Sequence, residues 1–165
     1  MTKAGCWFED VVLPALLRHA RVTYGTAMRR ALADAGYDDL PRNGLYVIGG
    51  LALGAGDAPL GALIKELRIS KQAAGQLVDT LVSRGYLQRT IDEHDRRRLT
   101  VTLTERGRDA AKTQAIARKA IDAELTTRVG ESGVKAARRA LAALIDIGRE
   151  REALDERATG GAEES

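Results

Sequence analysis

The spacing of apolar residues changes from helical to strand-like within residues 60–103, and this change limits the fold more than any other feature of the sequence. Two short helical stripes come first, formed by Leu60, Leu63, Ile64 and Leu67 and then by Ala74, Leu77, Val78 and Leu81. Ser70 stands between the stripes, where its hydroxyl can accept a hydrogen bond from a free amide of the following turn. Residues 86–91 and 98–103 then alternate as paired strands do. The segment predicts a helix-turn-helix followed by a two-stranded hairpin.

Helical patterns also precede this segment. Apolar residues recur at helical spacing over residues 8–36, and Gly36 supplies a stop signal. Pro41 is placed for the first turn of a second helix, which the glycines at 54–56 end. We therefore expect two helices on the N-terminal side of the helix-turn-helix.

The C-terminal side is helical as well. Thr104 is placed to cap a long Ala-rich helix that runs to about Val129, and Gly130 and Gly133 mark a break before a last helix. The acidic, Gly-containing residues 155–165 predict a disordered tail. The predicted fold is mostly α with a small β-hairpin wing. It is a single domain over 1–154, with a winged helix-turn-helix at about 57–105 between dimerisation helices at about 8–36 and 105–150.

Composition narrows the class of protein. Hydrophobic residues make up 44% of the sequence and charged residues 30%, as in a globular protein, and no apolar run approaches the ~20 residues of a membrane span. A single cysteine, Cys6, cannot form an internal disulfide, which fits a reducing cytosol. With only His19 and His94 and no metal-ligand spacing, we expect no enzymatic activity, metal or cofactor. These features predict a cytoplasmic protein without membrane association.

Positive charge is concentrated in the middle of the chain. Residues 65–108 carry ten Lys and Arg against six Asp and Glu, whereas residues 1–64 are balanced and residues 109–165 have a balance of −1. Such a distribution indicates a surface that faces a polyanion.

Four short segments of the same region closely resemble the core of MarR-type transcriptional regulators. They are Leu77-Val78-Asp79-Thr80-Leu81, Arg84-Gly85-Tyr86, Asp95-Arg96-Arg97 and Leu103-Thr104-Glu105-Arg106-Gly107. The resemblance covers about 60–108. It implies a winged helix-turn-helix regulator of transcription, with a wing arginine that an aspartate braces; here the matching pair is Arg97 and Asp95.

The start of the second helix provides candidate DNA contacts, because this end enters the major groove in helix-turn-helix motifs. Ser70 and Lys71 lie at its N-terminus, where free amides and positive charge suit a phosphate. Gln72 and Gln76 share a face and can read adenine, while Ala73 can touch a thymine methyl group. Gly75 permits a close approach, whereas Asp79 would repel phosphate and is expected to hold a cation or a local cap.

The wing provides the other candidates. A guanidinium such as that of Arg97 finds concentrated negative potential in an A·T-rich minor groove, and Asp95 would position it. Arg96 is expected to reach phosphate, Arg89 is a further phosphate candidate on the opposite strand, and Arg98 begins the second strand.

The flanking helices indicate the binding partners of the chain. Their apolar stripes exceed what the small winged part can cover, which predicts a homodimer on a near-palindromic double-stranded DNA site. The resemblance further implies a small-molecule effector between the winged part and the dimer helices, for which Arg18, His19 and Tyr46 are the candidates. We therefore interpret the chain as a ligand-responsive repressor.

Two alternatives stay open. Some MarR-type regulators sense peroxide through a cysteine in the first helix, so Cys6 is a candidate redox residue; its acidic neighbours would raise its thiol pKa. The second alternative is a winged-helix module that binds protein instead of DNA, although the positive charge of the wing gives this alternative little support.

Overall fold

The computed structural model describes residues 7–67, 69–91 and 99–160. In chain order its elements are α1 (Leu13–Asp34), α2 (Gly44–Leu53), β1 (Asp57–Pro59), α3 (Leu60–Glu66), α4 (Lys71–Ser83), β2 (Leu87–Ile91), β3 (Leu99–Leu103) and α5 (Glu105–Gly160). They fall into two compact units, Met1–Ile121 and Asp122–Ser165. The mostly helical fold with a small hairpin that the sequence predicts is confirmed.

The sheet has three antiparallel strands in the order β1-β3-β2. Strands β2 and β3 form the predicted hairpin, with Arg89 opposite Val101 and Leu87 opposite Leu103. Strand β1, in which Ala58 pairs with Val101, was not predicted, since three residues ending in Pro59 carry no alternation. This strand joins the segment before α3 to the wing.

The core of the first unit lies where α2, α4 and the hairpin meet. Its most deeply buried large side chains are Tyr86, Leu45, Ile48, Leu81, Leu87, Val47, Val78 and Val101. Each such side chain stabilises the fold by about 1.5–3 kcal/mol relative to leaving it exposed. Of the alternating apolar residues of β3, Val101 and Leu103 are buried, but Leu99 is 45% exposed.

Two helix starts differ from the sequence prediction. Helix α1 begins at Leu13, later than residue 8, with Pro14 in its first turn. Helix α2 begins at Gly44, so Pro41 does not lie in its first turn. Pro41 instead lies in the preceding turn, where its carbonyl accepts a hydrogen bond from the Gly44 amide at 2.8 Å.

The second unit contains the C-terminal part of α5. Gly130 has φ 71° and ψ 168°, a non-helical conformation that interrupts the helix at the predicted break. The helix then extends to Gly160, beyond Asp155, where the sequence predicts the start of a tail. No described helix is both long and apolar enough to cross a membrane.

Candidate nucleic-acid interface

Helix α4 begins with the predicted cap. The Ala73 amide donates a hydrogen bond to Ser70 Oγ at 3.2 Å, which satisfies one of the free amides of the first turn. Ser70, Lys71, Gln72 and Ala73 are all exposed. This end of the helix therefore exposes to solvent its remaining backbone amides, the ammonium group of Lys71 and the side-chain amide of Gln72.

The buried face of α4 fixes which side chains point outward. Ala74, Val78 and Leu81 are fully buried against the core, at the spacing of one helical stripe. Gln76 is exposed, four residues after Gln72, so the two carboxamides lie on the same outer face. Both carboxamides are therefore accessible, and their contact with adenine stays a prediction.

Gly75 lies on this helix without an internal packing role. A Cβ at its position would meet no atom within 4 Å, and the helix does not require a positive φ there. Because glycine costs a helix interior about 0.8–1 kcal/mol relative to alanine, the fold alone does not account for this residue. The open space is consistent with the predicted close approach of DNA.

The other end of α4 is closed by Gly85. This residue has φ +73°, and its amide donates to the Val82 carbonyl at 2.9 Å, while the Tyr86 amide donates to the Leu81 carbonyl at 2.9 Å. These two bonds form a Schellman-type C-terminus, for which glycine is favoured. They turn the chain directly into β2.

An ion pair joins α4 to the wing. Arg89 of β2 donates a hydrogen bond to Asp79 of α4, and both side chains are partly exposed to solvent. Asp79 thus holds a cation, as its position predicts, and the cation is Arg89. The pair places the guanidinium of Arg89 beside α4.

The Leu103-Thr104-x-x-Gly107 segment of the sequence has a structural explanation. Thr104 Oγ1 donates to the backbone carbonyl of Gly85 and accepts the Gly107 amide at 3.0 Å, so it caps α5 as predicted. A Cβ on Gly107 would lie 2.1 Å from the Tyr86 carbonyl oxygen. Only glycine therefore lets the first turn of α5 approach the end of α4 this closely.

A charged cluster around Asp39 was not predicted. Tyr86 donates to Asp39 Oδ1, Arg106 donates to the same oxygen at 2.8 Å, and Arg84 donates to the Asp39 carbonyl. The Arg106 guanidinium also lies over the Tyr86 ring, 4.7 Å from its centroid. The partners are 45, 47 and 67 residues from Asp39 in sequence, so no local pattern could have indicated the cluster.

The cluster shifts the pKa values of its members. The Tyr86 hydrogen bond, followed by the charge of Arg106, lowers the pKa of Asp39. Burial, followed by the bond to Asp39, raises the pKa of Tyr86. The pKa of Arg106 is raised, chiefly through its hydrogen bond with Tyr86. The cluster ties the loop after α1 to the winged part.

The remaining predicted DNA contacts lie outside the described residues. They are Asp95, Arg96, Arg97 and Arg98 of the wing tip, and the same holds for Cys6. Their roles stay predictions.

Two clefts flank α2 within the first unit. The inner cleft, of about 380 Å³, is lined by Met28, Leu45, Leu53, Ala111, Gln114 and Arg118. The turn-side cleft, of about 610 Å³, is lined by Arg21, Asn43, Tyr46, Leu63, Leu67 and Ile69. Of the predicted effector residues, Tyr46 lines both clefts, whereas Arg18 and His19 are exposed on α1 and line neither.

The inner cleft contains polar atoms without partners. Gln114 is 6% exposed, and its Oε1 makes no hydrogen bond; Arg118 Nε is also buried and unbonded. Residues 7–67, 69–91 and 99–160 contain no group of three or more His, Cys, Asp or Glu side chains that could hold a metal ion. Sequence reasoning missed Gln114 and Arg118 because only the packing of α5 against α2 brings them to a cleft.

Comparison with known proteins agrees with this geometry. The MarR family model matches residues 38–98. No curated protein matches the chain.

Three solved structures share the fold. A cysteine-to-serine variant of MarR from E. coli, complexed with operator DNA, is 20% identical and aligns over 85% of this chain and 99% of its own, with a TM-score of 0.65. NadR in complex with 4-hydroxyphenylacetate is 19% identical over 87% and 97%, with a TM-score of 0.66. A MepR variant from S. aureus is 15% identical over 83% and 97%, also with a TM-score of 0.66. The chain thus has the winged-helix fold of these MarR-family structures, and its residues 38–98 match the MarR family model.

Proposed function

We propose that the chain is a ligand-responsive repressor that binds a near-palindromic double-stranded DNA site as a homodimer. The observation that carries the proposal is the outer face of α4. Its capped N-terminus, Lys71, Gln72 and Gln76 are exposed, and none of these three side chains makes a hydrogen bond or ion pair within the described part of the chain. Groups of this kind, on a helix seated by its other face, match the needs of major-groove recognition.

Exposed apolar residues support the dimer. In the first unit, Leu13 is 52% exposed and Val22 51%; in the second, Ile145 is 55% exposed and Leu154 62%. Such side chains recur along helical faces, which a second copy of the chain would cover. A dimer would carry two copies of α4, about one DNA turn apart on the site.

The inner cleft supports the response to a ligand. A buried acceptor on Gln114 and a buried donor on Arg118 each lack a partner, which is unfavourable by about 1–3 kcal/mol per group until a ligand satisfies it. NadR, which shares the fold, was crystallised with 4-hydroxyphenylacetate. We assign the effector to this cleft and replace Arg18 and His19 with Gln114 and Arg118 as its polar contacts.

A mobility-shift titration tests the DNA-binding part of the proposal. We expect the protein to bind the DNA upstream of its own gene, and the affinity to fall by roughly 10³–10⁵ between 50 and 200 mM salt if about 6–10 phosphates are neutralised. Gln76→Ala should reduce the preference for that site by about 1–3 kcal/mol, with little effect on random DNA. Lys71→Ala should weaken both kinds of binding and lower the salt slope by about one.

Lys119→Ala provides the control, since it removes the same charge from an exposed position on α5. It should leave the salt slope unchanged. Equal effects of Lys71→Ala and Lys119→Ala would show that general charge, and not α4, attracts the DNA. No binding to the upstream DNA at low salt would contradict the proposal.

A further inference from the structure

The outer face of the three-stranded sheet carries a cleft apart from the two that flank α2. Val101 and Leu103 are buried, so Thr102 between them points to the outer face of β3. Thr102 pairs with Asp57 of β1 and with Gln88 of β2, and residues paired across strands share a face. This sheet-side cleft, of about 400 Å³, is lined by Gly56, Asp57, Gln88, Thr90, Thr102 and Arg108. None of these residues lines the inner or the turn-side cleft.

Two opposite charges lie in the sheet-side cleft without forming an ion pair. Within the part of the chain that the structure describes, no Lys or Arg nitrogen lies within 4.0 Å of the Asp57 carboxylate. Arg108 likewise has no carboxylate partner in that part, and its Nη1 donates to the Leu103 carbonyl at 2.7 Å. This bond holds the guanidinium at the end of β3 and leaves its other N–H donors for a ligand. A molecule that carries both a cation and an anion matches the cleft.

The neutral groups of the cleft favour a small polar ligand. Thr102 Oγ1 is buried and has no hydrogen-bond partner among the described residues, which is unfavourable until a polar group bonds to it. Gln88 and Thr90 are exposed beside it and add a carboxamide and a hydroxyl group. None of the described residues that line the cleft is aromatic, so an aromatic ligand would find no ring to stack on.

We propose that the sheet-side cleft binds a free α-amino acid whose side chain is polar and uncharged. Its ammonium group contacts Asp57, its carboxylate contacts Arg108, and its side chain bonds to the neutral polar groups of the lining. Asp57 lies opposite Thr102 and Arg108 bonds to Leu103, so the two protein charges flank adjacent residues of β3. An α-amino acid suits this spacing because both of its charged groups are attached to a single carbon atom.

The bound amino acid would join three elements of the winged part. Asp57 belongs to β1, Thr102 to β3 and Arg108 to α5. A ligand that contacts all three should raise the melting temperature of the protein, as a ligand that binds only the native state does. The site lies on the face of the sheet away from the core, and its proposal does not depend on DNA binding.

Calorimetric titration of the full-length protein with L-asparagine tests the chemistry of the ligand. N-acetyl-L-asparagine lacks the cationic group and L-asparaginamide lacks the anionic one, so each analogue isolates one charge. We expect L-asparagine to bind, and each analogue to bind at least about fivefold more weakly, because it loses a charge-assisted hydrogen bond. If L-asparagine fails to bind at millimolar concentration, or if either analogue binds as well as L-asparagine does, the proposal is wrong.

Variants at the charged positions test the two contacts. Asp57→Asn should weaken L-asparagine binding about fivefold and remove the difference between L-asparagine and its N-acetyl analogue. Arg108→Gln should do the same for L-asparaginamide, and Arg108→Lys should restore part of the affinity because it keeps the charge. The matched controls are Asp34→Asn and Arg30→Gln, which change two exposed side chains that pair with each other on α1. A control that weakens binding as much as its counterpart would contradict the proposed contacts.

Thr102→Val separates an effect on binding from an effect on folding. The substitution removes the unbonded hydroxyl group and keeps a β-branched side chain, so the melting temperature without ligand should not fall. The affinity for L-asparagine should nevertheless decrease severalfold. Unchanged affinity would mean that the ligand does not reach β3, contrary to the proposal. Melting temperatures of the charge variants, measured in the same way, show whether a loss of binding reflects unfolding.

Backbone amide resonances locate the bound amino acid independently of the variants. Addition of L-asparagine should shift the NMR signals of Gly56 and Thr102, which line the sheet-side cleft. Gly50 lines both clefts beside α2, so its signal should stay unchanged. A shift of Gly50 without a shift of Gly56 would place the ligand beside α2 and overturn the proposal. Because neither the titration nor the spectra contain DNA, they decide the amino-acid site even if the protein fails to bind its upstream DNA.

Discussion

The two ends of α4 differ in where their polar groups find partners. At the N-terminal end, Lys71, Gln72 and Gln76 are exposed and make no side-chain hydrogen bond within the described residues. At the C-terminal end, the Gly85 and Tyr86 amides and carbonyls bond to the helix and to Thr104. The difference distinguishes side chains that are left for a partner from groups that hold the winged fold together.

The comparison also shows how stability and binding are distributed along one helix. The C-terminal end joins α4, β2 and α5 through a close backbone approach, so changes there should affect folding. Within the described residues, the N-terminal end is held by its cap and its buried stripe, so changes on its outer face should affect DNA binding first. Four substitutions test this division, in order of expected effect.

Gly107→Ala should have the largest effect, at the C-terminal end. Its Cβ would lie 2.1 Å from the Tyr86 carbonyl oxygen, a backbone atom that cannot rotate away. Overpacking of this kind costs about 1–3 kcal/mol or more in free energy of unfolding. Urea denaturation measures the loss directly.

Gly61→Ala is the matched control, since a Cβ at this helical glycine meets no atom within 4 Å. It should leave stability unchanged or raise it slightly. A Gly107→Ala protein as stable as the wild type would mean that α5 does not need its close contact with the end of α4.

Tyr86→Phe should have the next largest effect. It keeps the fully buried ring but removes the hydroxyl that donates to Asp39 and accepts from Arg106. We expect a loss of about 1–2 kcal/mol in free energy of unfolding near neutral pH. The same denaturation experiment at pH 7 measures it.

The pH dependence of this loss has a definite sign. The folded pKa of Asp39 lies below its ordinary value of 3.8, so its contribution is present above that pH and is lost as pH falls through the folded pKa. Because the Tyr86 hydrogen bond is the main cause, the difference between wild type and Tyr86→Phe should shrink below about pH 4. A difference that stays constant down to pH 2 would contradict this role of Asp39.

The same comparison explains what the sequence could predict. Ser70 and Gly85 act within a few residues of their own position, and Thr104 caps the first turn of α5, so capping and turn rules identified these local roles. The bond from Thr104 to the Gly85 carbonyl, 19 residues away, was not predicted. The alternation in β3 predicted one apolar face of Leu99, Val101 and Leu103; Val101 and Leu103 are buried, but Leu99 is 45% exposed.

Other features depend on packing between distant segments. Asp39 meets Arg106 across 67 residues, and Gln114 reaches the inner cleft only because α5 packs beside α2. Strand β1 was missed for the same reason, since only its pairing with β3 makes it a strand. Apolar periodicity contains no information about such contacts.

Gly75→Ala should distinguish an effect on stability from an effect on DNA binding most clearly, because the two effects have opposite signs. The added Cβ meets no atom within 4 Å, so the helix should gain about 0.5–1 kcal/mol in stability. If DNA occupies the space beside Gly75, its affinity should fall. Denaturation and mobility-shift titrations of the same preparation measure both; unchanged affinity would remove Gly75 from the interface.

Asp79→Asn should have the smallest effect on stability, although it breaks the ion pair that links α4 to the wing. The Arg89 and Asp79 side chains are 36% and 63% exposed, so water already solvates both charges and the pair contributes less than about 0.5 kcal/mol. The asparagine keeps the shape and an acceptor oxygen for Arg89, which isolates the charge. A denaturation midpoint that shifts as far as that of Tyr86→Phe would contradict this estimate. Such a shift would mean that Asp79 stabilises the fold, as the C-terminal end of α4 does. Its hydrogen bond to Arg89 would then hold the wing against α4, just as the bond from Thr104 to the Gly85 carbonyl holds α5.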